Sequence, residues 1–154
     1  MFQQSLLSDQ QVNFTSDDWY TPPWIFDKLN INFSIDVASP PGGVPWIPSS
    51  SHFSLADDGL AQPWQGEVWM NPPFSNPLPW IVRFIEHRSG VALVPTSNGK
   101  WQDLLWQADV NWVTLPSIRF HSPTKGVAKG TLPTRCWLVA FGRQEELARF
   151  GRVR

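Results

Sequence analysis

The 154 residues fit one domain with a formal net charge of −1, which leaves little room for a separate recognition module and no global positive field to draw the protein to polyanions. Hydrophobic residues make up 42% and charged residues 16%, a globular balance, and the single cysteine, Cys136, excludes an internal disulfide. No apolar run approaches the ~20 residues of a membrane span and the polar start lacks a charged signal-peptide head, so a cytoplasmic protein with no membrane contact is expected.

Residues 1–16 are polar and unpatterned and read as a flexible N-terminal arm, with 17–154 as a single domain. Pro22 and Pro23 suit the first turn of a helix, WIFDKLN places Ile25, Phe26 and Leu29 on one face, and FSIDVAS follows as a strand. From Ser39 to Pro63 the chain turns irregular, too long a stretch for a mere connector. EVWM reads as a short strand that ends at NPPFSNP, where three prolines in seven residues forbid a continued strand or an immediate helix.

Pro79–Arg88 reads as an amphipathic helix, GVALVP as a buried strand, and Ser97–Gln107 as a helix capped by Ser97 or Asn98. VNWVTL, SIRFHS and RCWLVAFG are strand-like, and a short helix covers Glu145 to Phe150. Alternating elements with a strand-rich end predict an α/β fold: a compact, shortened Rossmann-like sheet, mostly parallel, with an antiparallel C-terminal edge.

The tetrapeptide Asn71-Pro72-Pro73-Phe74 carries the clearest chemistry. Asn71 offers a side-chain carbonyl and Pro72 a main-chain one, and consecutive prolines stiffen the loop without adding an N–H that would compete for those acceptors. Two fixed acceptors can take both hydrogens of an aromatic amine, localise its delocalised lone pair and aim it at an electrophilic methyl group. Phe74 supplies a face for the target ring, which must leave a duplex before any group can reach its amino nitrogen. Trp69, Trp80 and Trp101 are candidate second walls.

WMNPPFS resembles the catalytic motif of the S-adenosylmethionine-dependent amino-methyltransferase superfamily: Asp, Asn or Ser, then Pro-Pro, then an aromatic residue. The order DDWYTPPWIFDKLN, FSIDVAS, LAQPWQGEVWMNPPFS, GVALVPTSNGKW and SIRF is similar to the compact phage-type DNA N-6-adenine methyltransferase family over residues 17 to about 142. That resemblance implies a methyltransferase sheet, S-adenosylmethionine as cofactor, duplex DNA as substrate, no metal, and a host-cell cytoplasmic location if the chain is phage-encoded. Trp19, Thr21 and Pro22 match the family's Trp-x-Thr-Pro signature, which implies a cofactor contact. Asp36 matches its strand-borne acid, Asn71 to Ser75 its catalytic block and Trp101 its late tryptophan.

Asp36 stands near the end of the first strand, where an open α/β sheet receives a nucleotide ligand, although an Asp there also caps a turn. Asp58, in a D-G-L context, resembles the acid that contacts the cofactor's adenine amino group; Asp57 is the alternative, and both are ordinary turn formers. Thr21 reads equally as a donor to the cofactor carboxylate and as a helix N-cap. The chain departs from the superfamily in one respect: Asp36-Val37-Ala38-Ser39 replaces the usual Gly-x-Gly, with Gly42 and Gly43 a few residues on. Few residues separate Asp36 from Asn71, so the cofactor site is expected to be shallow or completed by another subunit of a homo-oligomer.

Basic residues gather from Arg119 to Lys129 and from Arg143 to Arg154. Lys100, Trp101, Arg119 and Lys125 are the candidates for nucleic-acid contact, with ordinary surface charge as the competing reading. The three histidines, His52, His87 and His121, have no metal-ligand spacing. Adenine methylation in DNA is the leading expectation. The motif also suits RNA or protein-glutamine methylation, and the missing glycine turn leaves room for a noncatalytic DNA- or partner-binding module.

Overall fold

The computed structural model describes residues 19–96, 100–131 and 135–154. The expected arm and the expected Ser97 or Asn98 cap lie outside the described residues. Helix α1 spans Pro23–Leu29, β1 Ile35–Asp36, β2 Val68–Met70, α2 Leu78–His87, β3 Gly90–Pro95 and α3 Lys100–Gln107. Then come β4 at Asn111–Thr114, β5 at His121–Ser122, β6 at Gly126–Val127, β7 at Cys136–Ala140 and α4 at Gln144–Ala148.

Five strands form one sheet in the order β1-β2-β3-β7-β4, and β5 pairs with β6 in a separate hairpin. β1, β2 and β3 run parallel, while β7 is antiparallel to both β3 and β4. The sheet is therefore mostly parallel, as expected, but the antiparallel C-terminal strand is not an edge. It inserts between β3 and β4, because its alternating residues are apolar on both faces and demand cover on both sides. Leu138 and Ala140 enter one core cluster and Val139 the other.

Those two clusters lie on opposite faces of the sheet. Ile25, Phe26 and Leu29 of α1 and Leu147 of α4 pack on Trp69, Val91, Leu93 and Leu138. Ile81 and Phe84 of α2 and Leu105 of α3 pack on Val68, Met70, Ala92 and Val94. This is a three-layer arrangement in which near-continuous apolar strands carry helices on each side.

The segment SIRFHS forms a ladder only at His121–Ser122. Ile118 and Phe120 are nevertheless buried with Arg119 exposed between them, so the alternation seen in the sequence is real but its partner is the core rather than a neighbouring strand.

Two arginines from the basic C-terminal stretch fasten α4 to its neighbours, one to α1 and one to the start of β2. Arg149 donates to the carbonyls of Lys28 (3.2 Å) and Leu29 (2.7 Å), satisfying acceptors left open at the end of α1. Arg143 donates from Nε to Glu67 Oε2 at 2.7 Å and from a terminal nitrogen to the other Glu67 oxygen, and also pairs with Glu146 at 2.9 Å. Such a bidentate fork ties the residue before β2 to the start of α4.

Gly90 opens β3 at φ 144°, and a Cβ there would lie 2.3 Å from the Val68 carbonyl oxygen of the neighbouring strand. Gly90→Ala is expected to lose on the order of 2–4 kcal/mol, combining backbone strain with a forced shift of β2. Urea denaturation checks this; an unchanged midpoint would contradict the close approach.

Candidate active site

The parallel strands β1 and β2 end at the same level: Asp36 registers with Trp69, and the Val37 N–H extends the ladder to the Trp69 carbonyl at 3.1 Å. Ala38 and Asn71 follow at the carboxyl edge, the position where open α/β sheets take their ligands. Both line a cavity of about 250 Å³ that is also bordered by Trp19, Tyr20, Pro72, Pro73, Phe74 and Phe120.

The four residues of the tetrapeptide thus share one cavity. Asn71 is buried at 8% exposure and no hydrogen bond within the described residues engages its carboxamide, so its acceptor oxygen is available to a ligand. A turn closed by Asn76 N–H to Pro73 O (3.1 Å) follows, and the chain enters α2 with Pro77 as its N-cap residue. The Phe74 ring meets Phe120 edge to face, centroids 6.0 Å apart at 85°.

The expected second walls are placed elsewhere. Trp69 is fully buried between Phe26 (4.6 Å) and Phe33 (5.7 Å), because β2 aims it at the α1 side of the core. Trp80 stacks on Trp64 and faces a different cleft. Trp101 donates to the Pro95 carbonyl at 2.8 Å, fastening the start of α3 to the end of β3. The cavity walls are instead Trp19, Tyr20 and Phe120. Sequence reasoning missed Tyr20 and Phe120, which carry no motif of their own; the one available signal was the strict alternation Ile118, Arg119, Phe120.

Trp19 and Tyr20 reach the cavity because Tyr20 bridges to His121 through two main-chain hydrogen bonds of 2.6 and 2.9 Å. Trp46, from the long irregular stretch, donates to the Thr21 carbonyl at 2.8 Å and packs its ring edge-on to His121. The N-cap reading of Thr21 is not realised: the cap residue of α1 is Pro22, buried and with no side-chain cap hydrogen bond. Thr21 is fully buried, and its hydroxyl has no partner among the described residues. A buried donor left so costs about 1–3 kcal/mol, which a ligand group can recover.

A second cleft, about 100 Å³, is lined by Val37, Ala38, Phe53, Leu55, Asp58, Gly59 and Trp80. Ala38 belongs to both cavities, so the two share a wall just beyond β1. Asp57 is committed to a capping box, accepting from the Ser54 N–H (2.8 Å) and hydroxyl (3.1 Å), and those bonds hold its carboxyl below the usual range. Asp58, in a left-handed conformation at φ 56°, is the acid left facing the cleft.

A glycine from elsewhere in the chain packs against the end of β1. A Cβ on Gly59 would sit 2.3 Å from the Val37 carbonyl oxygen, so the close backbone approach comes from a residue more than twenty positions downstream. Trp64 holds Gly59 there, donating to its carbonyl at 2.8 Å. Gly42 and Gly43 form a separate turn closed by Gly43 N–H to Pro40 O and line neither cavity.

Asp36 is 2% exposed and accepts from the Ala38 N–H at 3.2 Å. The ion pairs of the described residues join Arg143 to Glu67 and Glu146, and none reaches Asp36. Burial without a cation pushes its pKa from 3.8 to about 7, only partly opposed by the Ala38 hydrogen bond. Asp36, Thr21 and Pro22 line neither cavity; a buried carboxyl acceptor, an unpaired hydroxyl and an apolar cleft beside Asp58 are the kinds of group that the ammonium, carboxylate and adenine of S-adenosylmethionine call for.

Lys100, Arg119 and Lys125 are all exposed, Arg119 beside cavity-lining Phe120 and Lys125 in the β5–β6 hairpin. Arg143 and Arg149 are occupied by the structural contacts above. Among the described residues no group of His, Cys, Asp and Glu gathers where it could hold a metal ion, and no helix is long and apolar enough to cross a membrane.

Because the folded pKa of Asp36 lies above its unfolded value, the native state binds the extra proton between about pH 4 and 7. Stability is therefore lost as pH rises through that window. Relative to Asp36→Asn, which has no such titration, the thermal midpoint of the unaltered protein is expected to fall from pH 4 to 7; parallel curves would show a normally titrating carboxyl.

Comparison with known proteins gives concordant matches. A DNA N-6-adenine-methyltransferase of Haemophilus phage HP1 (strain HP1c1) is 32% identical over 99 residues, 57% of this chain and 56% of that protein. The aligned stretch thus spans little more than half the length of that relative. No solved structure is significantly similar. The family model described as DNA N-6-adenine-methyltransferase (Dam) matches residues 9–144, which covers both cavities and every strand of the sheet, so the chain belongs to that family.

Proposed function

We propose that the protein transfers a methyl group from S-adenosylmethionine to the N6 amino group of an adenine turned out of duplex DNA. The observation that carries this reading is the shared wall at Ala38: an acceptor cavity built by Asn71-Pro72-Pro73-Phe74 adjoins an apolar cleft that carries Asp58. Membership of the family supports the substrate and the donor.

S-adenosylmethionine, when bound, supplies an electrophilic methyl group on a sulfonium sulfur. Asp36 takes the ammonium, Thr21 donates to the carboxylate, and Asp58 accepts from the adenine amino group beside Phe53 and Trp80. Trp19 and Pro22 belong to the same strip as Thr21, Trp19 bordering the cavity and Pro22 starting α1 beneath it.

On the acceptor side, the carbonyls of Asn71 and Pro72 hold both amino hydrogens of the adenine and turn the nitrogen lone pair toward the donor. Proline rigidity fixes those carbonyls in advance of binding, which lowers the ordering cost at the moment of reaction. Phe74 stacks on the base, and Phe120, 4% exposed, keeps the Phe74 ring from rotating away.

Lys100, Arg119 and Lys125 contact phosphates of the DNA, giving local attraction in a chain of net charge −1. Trp101 serves that contact indirectly, by anchoring the helix on which Lys100 stands. The activity belongs in the cytoplasm, that of the host cell where the chain is phage-encoded.

Asn71→Ala is expected to lower methyl transfer by at least about a thousandfold while S-adenosylhomocysteine affinity changes less than about threefold, since the loss falls on an interaction made in the transition state. Transfer of labelled methyl to adenine-containing duplex DNA, with calorimetry for cofactor, checks both. Unimpaired transfer by the variant would overturn the assignment, and label entering RNA or a glutamine-bearing protein instead of DNA would change the substrate.

Arg119→Ala is expected to weaken binding of all duplexes alike and to reduce the slope of log affinity against log salt by about one. Fluorescence anisotropy at several salt concentrations measures it, and an unaltered slope would remove Arg119 from the interface.

A further inference from the structure

Two residues before Asn71 stands a second unpaired donor that the motif does not use. Trp69 is fully buried and its indole Nε1 has no hydrogen-bond partner among the described residues, a condition it shares with the Thr21 hydroxyl. Donor groups so placed are uncommon in folded proteins and point to a group that completes them.

The sheet places Trp69 beside Asp36. The two are register partners on adjacent parallel strands, and register partners share a face. Val68 and Met70, on either side of Trp69, enter one core cluster together with Ile35 and Val37, on either side of Asp36, whereas Trp69 itself enters the other. Asp36 and Trp69 therefore both face the α1 side of the sheet. Thr21 lies immediately before α1, whose Phe26 packs on the Trp69 ring. Each of the three is within two residues of a cavity-lining position: Tyr20, Ala38 and Asn71.

We infer that Trp69 is a cofactor-binding residue: its indole N–H and the Thr21 hydroxyl together receive the α-carboxylate of the methyl donor, next to the Asp36 carboxylate that takes its α-ammonium. The role falls to the indole nitrogen and not to the ring face. The three groups line neither cavity, whereas the Trp19–Tyr20 strip, joined to His121 by a pair of main-chain hydrogen bonds, borders the acceptor cavity. Entry of the amino-acid end therefore requires a local opening beside them. This inference rests on the reading of the site as a methyltransferase, and it distinguishes the amino-acid end of the cofactor from its nucleoside end.

The test uses the full chain with two ligands, S-adenosylhomocysteine and 5′-methylthioadenosine, which shares the nucleoside and the sulfur but lacks the amino-acid end. Trp69→Phe keeps the aromatic packing and removes the donor, and Thr21→Val removes the hydroxyl at nearly constant volume. By calorimetry each is expected to weaken S-adenosylhomocysteine about tenfold and to leave 5′-methylthioadenosine unchanged. Equal loss for both ligands, or no loss for either, as an internal water completing the donors would give, overturns the inference and leaves the proposed activity standing. Failure of S-adenosylhomocysteine to bind the unaltered protein overturns the activity and the inference together.

Should Trp69→Phe not fold, the assigned Nε1–H resonance of Trp69 in the unaltered protein decides. It is expected to shift with S-adenosylhomocysteine and not with 5′-methylthioadenosine; a resonance that ignores both overturns the inference.

Discussion

The pairing of β1 with β2 is the constraint on which the rest of the site depends. Only two residue pairs define it, Ile35 with Val68 and Asp36 with Trp69, yet it sets three things at once. It levels the two strand ends, so that Ala38 and Asn71 emerge at one edge. It aims Asp36 and Trp69 at the same face, and it leaves Val37 within reach of Gly59. A slip of one residue would turn Asp36 into the α2 side of the core, where an unpaired carboxyl meets only apolar neighbours. Burial on both faces is what makes such a slip costly, and it explains why so short a strand is specific.

The tryptophans are used as fasteners more than as platforms. Trp46, Trp64 and Trp101 each donate an indole hydrogen bond of 2.8 Å to a main-chain carbonyl, at Thr21, Gly59 and Pro95. The first joins the long irregular stretch to the residue before Pro22, the second closes a turn at the end of that stretch, and the third ties α3 to the end of β3. They add to the main-chain bonds by which residues 48–53 already pair with β1, Asp36 N–H to Ser51 O and Phe53 N–H to Asp36 O among them. Trp64 adds a stack on Trp80 and a contact with the Arg83 guanidinium 4.8 Å from its ring, joining the Gly59 segment to α2.

Charge is deployed locally. Of the two basic stretches, the C-terminal one supplies the arginines that close α1 and brace α4, whereas the one around Arg119 lies beside the cavity. Asp36 is the opposite case, a carboxyl held dry without a cation at the place where the proposed ligand carries one. Cys136 is dry as well, and burial pushes its thiol up to about 12, so it stays protonated and serves as packing.

The sequence by itself determined the α/β class, the helices of both layers, the two strands that lead to the site, and the tetrapeptide with its acceptors. These are local properties: periodicity of apolar residues, proline positions and a spacing within four residues. Tertiary structure alone decided that the antiparallel strand is interior, that Gly59 packs against the end of β1, that Thr21 caps nothing, and that Tyr20 and Phe120 wall the cavity while Trp69 and Trp80 do not. Each of those depends on which face a strand presents or on contact between distant segments. Neither is encoded in the spacing of neighbours along the chain; both follow once the strands pair and the helices cover them.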